Sequence, residues 1–227
     1  MVLVKNLKLI LKKSLDLIYP LNCLICRKKL NFNDGSYLCS ECYAQIIKNK
    51  PPFCVKCDCS PLYFERAWSV SKYTGIIKDL IHLFKYRRQK YLAKPLGKLM
   101  IEFINTNLNW QTIDALVPVP LHPKKLRQRE FNQAELLAKE INRQIPVPIT
   151  NALMRIKQTS SQTTLPPEKR FSNIAGAFKI RDAKEVAQKS ILLIDDVLTS
   201  GATANECSRV LKQEGAKRIE ILTLAGR

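Results

Sequence analysis

Ile191 to Ile194 is an uninterrupted apolar run, the pattern of a parallel strand covered on both faces, and Asp195 and Asp196 follow at its carboxyl end. The turn Thr199 to Thr203 then leads into a helix with Ala204, Cys207, Val210 and Leu211 on one face. That helix stops at Gly215, and Ile219 to Leu224 forms the next strand, which makes the unit β-α-β. Ile113 to Pro120 predicts another buried strand. Pro118 and Pro120 place its end at the sheet rim, because proline cannot donate to a central ladder. Leu121 to Gln133 reads as a basic loop, and Ala134 to Ile141 resumes helical periodicity. Met154 to Lys169 is polar and hydroxyl-rich, with Thr159, Ser160, Ser161, Gln162, Thr163 and Thr164 ahead of Pro166 and Pro167, and reads as a long mobile lid. At the other end, Val4, Leu7, Leu11, Leu15 and Ile18 form a helical apolar stripe, read as docking on the protein itself.

Length and composition turn these elements into two units. At 227 residues and 46% hydrophobic, the chain can bury one α/β core and carry a small accessory module. The expected division is residues 1–60, an N-terminal helix and cysteine-rich ribbon, and 61–227, the α/β domain. The net charge of +19 is carried outside residues 191–227, which are neutral. Such charge suits polyanions, and non-specific nucleic-acid affinities of order 10⁻⁴ to 10⁻⁶ M need nothing more. A solvated, Lys-rich surface accounts for it equally well. No apolar run approaches the roughly 18 residues of a membrane span. Lys5, Lys8, Lys12 and Lys13 also interrupt any signal-peptide core, so a soluble, cytoplasmic protein is expected.

Cysteine spacing predicts a metal. Cys23/Cys26, Cys39/Cys42 and Cys54/Cys57 are C-x-x-C pairs, and each such knuckle presents two sulfurs to one ion from a tight turn. Cys23, Cys26, Cys39 and Cys42 form the natural four-thiolate zinc ribbon. Cys54, Cys57 and Cys59 read as a degenerate remnant. The segment has few large apolar residues, so structural Zn²⁺, worth about 10–16 kcal/mol in small zinc modules, decides whether it folds.

The acids and turn after Ile194 carry the chemistry. Ionised Asp195 and Asp196 only accept hydrogen bonds, which suits sugar hydroxyls. The backbone N–H groups, dipole and hydroxyls of Thr199, Ser200, Gly201, Ala202 and Thr203 suit a phosphate. Neither G-x-x-x-x-G-K-[ST] nor G-x-G-x-x-G occurs in the chain. This stretch resembles the phosphoribosyl-pyrophosphate (PRPP) motif of type I phosphoribosyltransferases. The resemblance implies that Asp195 and Asp196 hold the ribose 2′ and 3′ hydroxyls. It also implies that Val197, Leu198 and the turn to Thr203 complete the PRPP site around the 5′-phosphate.

More of the chain resembles the ComF family, in that family's order. The residues that carry the likeness are the cysteine pairs, Phe84-Lys85-Tyr86, Pro118-Val-Pro120, Arg127-x-Arg129-x-Phe131-Asn132-Gln133, Arg155 through Gln162 to Arg170, Asn173, Gly176-Ala-Phe178 and the terminal motif. Where the family usually has Arg-Gly-Phe-Asn-Gln, this chain has Glu130 in place of the glycine, an acid where a small residue would let backbone approach pyrophosphate. Where many members have a fourth cysteine pair, only Cys59 stands. The resemblance implies a type I phosphoribosyltransferase-like parallel sheet flanked by helices, with a small N-terminal zinc ribbon. It further implies structural zinc, PRPP with Mg²⁺, and support of DNA uptake in natural transformation. Arg127, Arg129, Arg155 and Arg170 are the candidates for meeting pyrophosphate, since guanidinium binds phosphate bidentately. Two functional classes stay open. One is a phosphoribosyltransferase with Asp195 and Asp196 at the reacting ribose. The other is a scaffold or sensor that keeps the PRPP pocket and handles single-stranded DNA or a helicase-like ATPase.

Overall fold

The computed structural model describes residues 21–30, 37–50, 61–159 and 166–226. The stripe from Val4 to Ile18, the trailing cysteines Cys54, Cys57 and Cys59, and the lid residues Ser160 to Thr164 lie outside them. The chain divides into two compact units, Met1–Ile46 and Ile47–Arg227. The first contains a short helix, α1 (Ser40–Ala44), and the paired residues Asn22 and Lys29 around the first cysteine knuckle.

The larger unit is a parallel sheet flanked by helices. Strands β1 (Arg66–Lys72), β2 (Ala115–Pro118), β5 (Ser190–Leu198) and β6 (Arg218–Gly226) lie in the order β1-β6-β5-β2, and every pairing is parallel. The central strands are buried as their composition requires: Ile191, Leu192, Leu193 and Ile194 are all 2% exposed or less. Helices α2 (Gly75–Tyr86), α3 (Ala93–Asn107), α5 (Gln133–Asn142) and α7 (Ala202–Gln213) supply the layers. On α2 the buried set is Ile77, Leu80, Ile81 and Phe84, an i, i+3, i+4, i+7 stripe. Helices α3 and α5 approach closely at Gly97, where an added Cβ would lie 2.5 Å from Glu140 Cβ. A separate antiparallel pair joins β3 (Leu153–Arg155) to β4 (Phe178–Ile180), with α6 (Pro167–Ile174) between them in sequence.

Topology creates a crevice between β2 and β5. After β2 the chain crosses to Ile149, which pairs in parallel with Leu116 on the far side of β2; after β5 it crosses through α7 to β6 on the opposite side. Outgoing connections that diverge in this way open a gap at the carboxyl ends of the two strands, where open α/β sheets bind ligands. Proline sets its depth. β2 ends at Pro118 opposite Ile194, one further bond joins Val119 N–H to Ile194 O (2.9 Å), and Pro120 has no N–H to continue. β5 runs on beside β6 to Leu198, so Asp195 and Asp196 sit inside the strand rather than after it.

Three segments differ from the pattern reading. The basic stretch 121–133 is not a loop: Pro123–Arg129 is a helix, α4. It carries no apolar periodicity, and its ends explain it. Pro123 occupies the first turn, and His122 Nδ1 accepts the Lys124 N–H (3.2 Å) as the N-cap. The strand read as Ile113 to Pro120 is shorter, because a 3-10 turn at Trp110–Thr112 delivers the chain to Ala115. The polar segment 154–169 is structured at both ends, by β3 and by the start of α6.

Glu130 has a different significance from the one its family position implies. It is the C-cap of α4 with φ 68°, in the left-handed region, and its carboxylate pairs with the exposed Arg88 guanidinium at 2.6 Å. A glycine here serves the helix terminus rather than an approach to ligand. Placing a side chain in this conformation costs about 1–2 kcal/mol, and an exposed ion pair returns about 0–1 kcal/mol. Glu130→Gly is therefore expected to stabilise the protein by about 1 kcal/mol, a rise of roughly 2–4 °C in Tm by thermal melting. An unchanged or lower Tm would show that the ion pair outweighs the strain.

Candidate functional site

The crevice is a cleft of about 130 Å³ whose wall combines apolar residues such as Val119 and Leu121 with acids and cations. Its floor is β5: Asp195, Asp196, Val197 and Leu198 all line it, followed by Thr199, Gly201, Ala202 and Thr203. Gly201 is the N-cap of α7 with φ 77°, so the turn needs glycine to bring the first amides of the helix to the cleft. Ser200 belongs to this turn but is not part of the lining.

Four cations converge on the same space from three elements: Lys85 near the end of α2, Lys125 and Arg129 on α4, and Arg155 on β3. Lys125 and Arg129 stand at i and i+4, so a helix presents both to one side. Arg127 lies between them in sequence, points elsewhere for the same reason, and is exposed outside the lining. Arg170, half-buried on α6, is also outside it. The helical spacing of Lys125 and Arg129 was the available signal for Lys125, hidden while the segment read as a loop. Lys85 was visible only as part of the Phe84-Lys85-Tyr86 pattern.

The acids and cations are tied together. Lys85 Nζ lies 2.6 Å from Asp196 Oδ1, with side chains 16% and 11% exposed, and the Asp196 N–H donates to Asp195 Oδ1 (2.8 Å). Burial opposes the charge on Lys85, but the Asp196 carboxylate more than compensates and holds the ammonium above its usual value. Burial, helped by the charge of Asp196, pushes Asp195 up to about 7. Lys125 is shifted down by burial and by Arg155, Arg129 and Lys85 around it. Arg155 is also shifted down, chiefly by burial, and its buried Nε has no hydrogen-bond partner among the described residues. A cleft that gathers four cations around one acid pair suits a polyanion.

Asn132 and Gln133 hold this arrangement in place. Asn132 caps α5 through its Oδ1, and its Nδ2 donates to Val119 O (3.0 Å), fixing the chain after β2. Gln133, 1% exposed, accepts from Arg129 Nη1 (3.0 Å) and donates to Phe84 O (3.2 Å), so it links the α4 wall to the backbone beside Lys85. Phe84 packs on Phe131 with ring centroids 5.5 Å apart, and the Arg129 guanidinium lies 5.3 Å from the Tyr86 ring centroid.

In the first unit, Cys23, Cys26, Cys39 and Cys42 bring their sulfurs within 4.8 Å of one another. Tetrahedral zinc with bonds of about 2.3 Å sets its sulfurs about 3.8 Å apart. The Cys26 and Cys39 sulfurs lie 3.6 Å apart, and the set fits that ion. Backbone N–H groups point at two of these sulfurs. Cys23 Sγ accepts the Cys39 N–H (3.5 Å), and Cys39 Sγ caps α1 by accepting the Cys42 N–H (3.4 Å). Burial works against ionisation of Cys23, but amides of Cys39, Cys26 and Ile25 outweigh it and bring the thiol down to about 6. Cys207, buried on α7, belongs to the core.

Residues 132–227 match the phosphoribosyl transferase domain family, and residues 14–66 match the double zinc ribbon domain family. Competence protein F of Haemophilus influenzae is 28% identical over 91% of this chain and 97% of its own length. Competence protein ComFC of Streptococcus pneumoniae is 27% identical over 85% of this chain and 89% of its own. The chain is a homologue of the ComF competence proteins. A DNA utilization protein of Salmonella typhimurium is also 26% identical over 92% of this chain. The ComF homologue thus carries a phosphoribosyltransferase-like parallel sheet with flanking helices, and a zinc ribbon whose four cysteines support structural zinc. No helix among the described residues is long and apolar enough to cross a membrane.

Two outcomes follow. Asp195 is raised in the fold and ordinary in the unfolded chain, so the folded state keeps a proton that the unfolded state loses, and wild-type stability falls as pH rises from about 4 to 7. Asparagine has no such proton. The gain in Tm of Asp195→Asn over wild type should widen from pH 4 to pH 7 and level off above; a gain independent of pH would refute the burial of this carboxyl. For the ribbon, Cys39→Ser should lower bound zinc by one ion per chain in metal analysis and Cys207→Ser by none, whereas an unchanged zinc content in Cys39→Ser would refute the four-cysteine site.

Proposed function

We propose that this cleft binds PRPP with Mg²⁺ and that the ComF homologue is a phosphoribosyltransferase supporting DNA uptake in the cytoplasm. One observation carries the reading: an acid pair, a helix N-terminus and four cations meet in one cleft at the divergent strand ends. A phosphorylated pentose bearing a diphosphate matches those groups one for one. Asp195 and Asp196 accept from the ribose hydroxyls. The turn from Thr199 to Thr203 and the N-terminus of α7 take the 5′-phosphate. Lys85, Lys125, Arg129 and Arg155 face the diphosphate, with the arginines giving paired hydrogen bonds and the lysines point charges.

As a nucleophilic atom of the acceptor bonds C1′ and the bond from C1′ to pyrophosphate breaks, positive charge grows on the ribose ring. The acids beneath it stabilise that charge, and the four cations hold the departing anion. Mg²⁺ fits the oxygen donors of Asp195 and Asp196 and would neutralise charge on the phosphates while keeping part of its water shell. The placement in DNA uptake rests on the relatives, named as competence and DNA utilization proteins; single-stranded DNA and a helicase-like ATPase are the partners proposed with it.

Thermal melting with PRPP and Mg²⁺ tests the binding. Ligand at 100 times its Kd should add about 2.7 kcal/mol of stability, and no shift at millimolar ligand would defeat the proposal. Pyrophosphate release with a panel of bases and amines then tests the chemistry. Release supports a transferase; binding without release from any acceptor supports the scaffold or sensor.

A further inference from the structure

We propose that Lys85 is the residue by which the cleft tells a pentose carrying a diphosphate from one carrying a 5′-monophosphate alone: its ammonium pairs with Asp196 and passes to the diphosphate as ribose hydroxyls take the carboxylate. The inference rests on reading the cleft as a PRPP site. Lys85 lies upstream of residues 132–227, the span that matches the phosphoribosyl transferase domain.

One oxygen of each acid is engaged before a ligand arrives. Asp195 Oδ1 already receives the Asp196 N–H, and Asp196 Oδ1 holds Lys85 Nζ at 2.6 Å. A sugar hydroxyl reaching that oxygen competes with an ammonium. The pair is shielded, at 16% and 11% side-chain exposure, so separating it without a new partner leaves two buried charges unmatched. A neutral hydroxyl cannot repay that loss for the lysine.

Among the described residues lining the cleft, Lys85 has one acid besides Asp196. Its cationic neighbours there are Lys125, Arg129 and Arg155, and Lys125 is shifted down first by burial and then by the cations around it. Asp195 is the remaining acid, and burial holds it toward its neutral form. A phosphate at the turn before α7 is met by backbone N–H groups and does not need Lys85. A diphosphate supplies the missing countercharge.

Only the side chain has to move. The backbone beside Lys85 is fixed by the Gln133 Nε2 bond to Phe84 O (3.2 Å), by the packing of Phe84 on Phe131, and by the burial of Phe84 at 0% exposure. A long, flexible stem on a fixed Cα lets the ammonium switch partners while α2 stays in place.

Calorimetric titration of wild type, Lys85→Met and Lys85→Arg with PRPP–Mg²⁺ and with ribose 5-phosphate tests the exchange. Wild type should prefer PRPP. Lys85→Met should lose about 30-fold or more in PRPP affinity while ribose 5-phosphate stays within about 3-fold or binds more tightly, so the preference collapses. Lys85→Arg should retain most of it. Equal loss of both ligands, or a preference that survives Lys85→Met, overturns the inference. Should Lys85→Met melt below the assay temperature, Lys85→Gln gives the same comparison. Failure of wild type to bind PRPP removes the parent reading instead, a different result from an intact preference without Lys85.

Discussion

The difference in length between two neighbouring strands governs this molecule. β2 stops at Pro118, and Pro120 cannot extend its ladder, while β5 continues to Leu198 with only β6 beside it. A strand that outruns its partner exposes backbone and side chains on one side, and here those side chains are two acids. Everything charged in the cleft follows. Carboxylates at a buried strand require a counterion, and Lys85 reaches in from α2 to provide it. The surplus of cations around that pair then leaves the cleft short of negative charge, a deficit a phosphorylated ligand removes.

The two units are stabilised by different means. The α/β unit has enough apolar surface to form its own core, with Ile191 to Ile194 of β5 inaccessible and amphipathic helices laid over the sheet. Among its described residues the first unit has little comparable core and instead gathers four sulfurs, with main-chain N–H groups directed at those of Cys23 and Cys39. One unit is organised by exclusion of water and the other by a metal-ligand set.

Much of this was legible in the sequence because it depended on neighbours in the chain. The run Ile191–Ile194, the stripe on α7, the glycine after it and the cysteine knuckles are local patterns, and each appears where its periodicity or spacing requires. What stayed hidden depended on distant or low-contrast features. The Lys-Lys-Leu-Arg-Gln-Arg of α4 has no apolar face, so its helix rests on Pro123 and the His122 cap, and without that helix the shared side of Lys125 and Arg129 cannot be seen. The Lys85–Asp196 pair joins residues far apart in sequence, and no spacing rule brings them together. The reach of β5 past Ile194 rests on its pairing with β6, which no pattern within 190–198 reveals.

Hydrogen–deuterium exchange with and without PRPP–Mg²⁺ measures the central claim most directly, because it reports where along the chain a ligand is held. Protection should rise together in peptides spanning 84–86, 119–133 and 195–203, the three segments that surround the acid pair, and stay unchanged over 107–113 at the far end of the sheet. Protection confined to other segments, or absent from 195–203, would contradict a ligand site built on the overhang of β5.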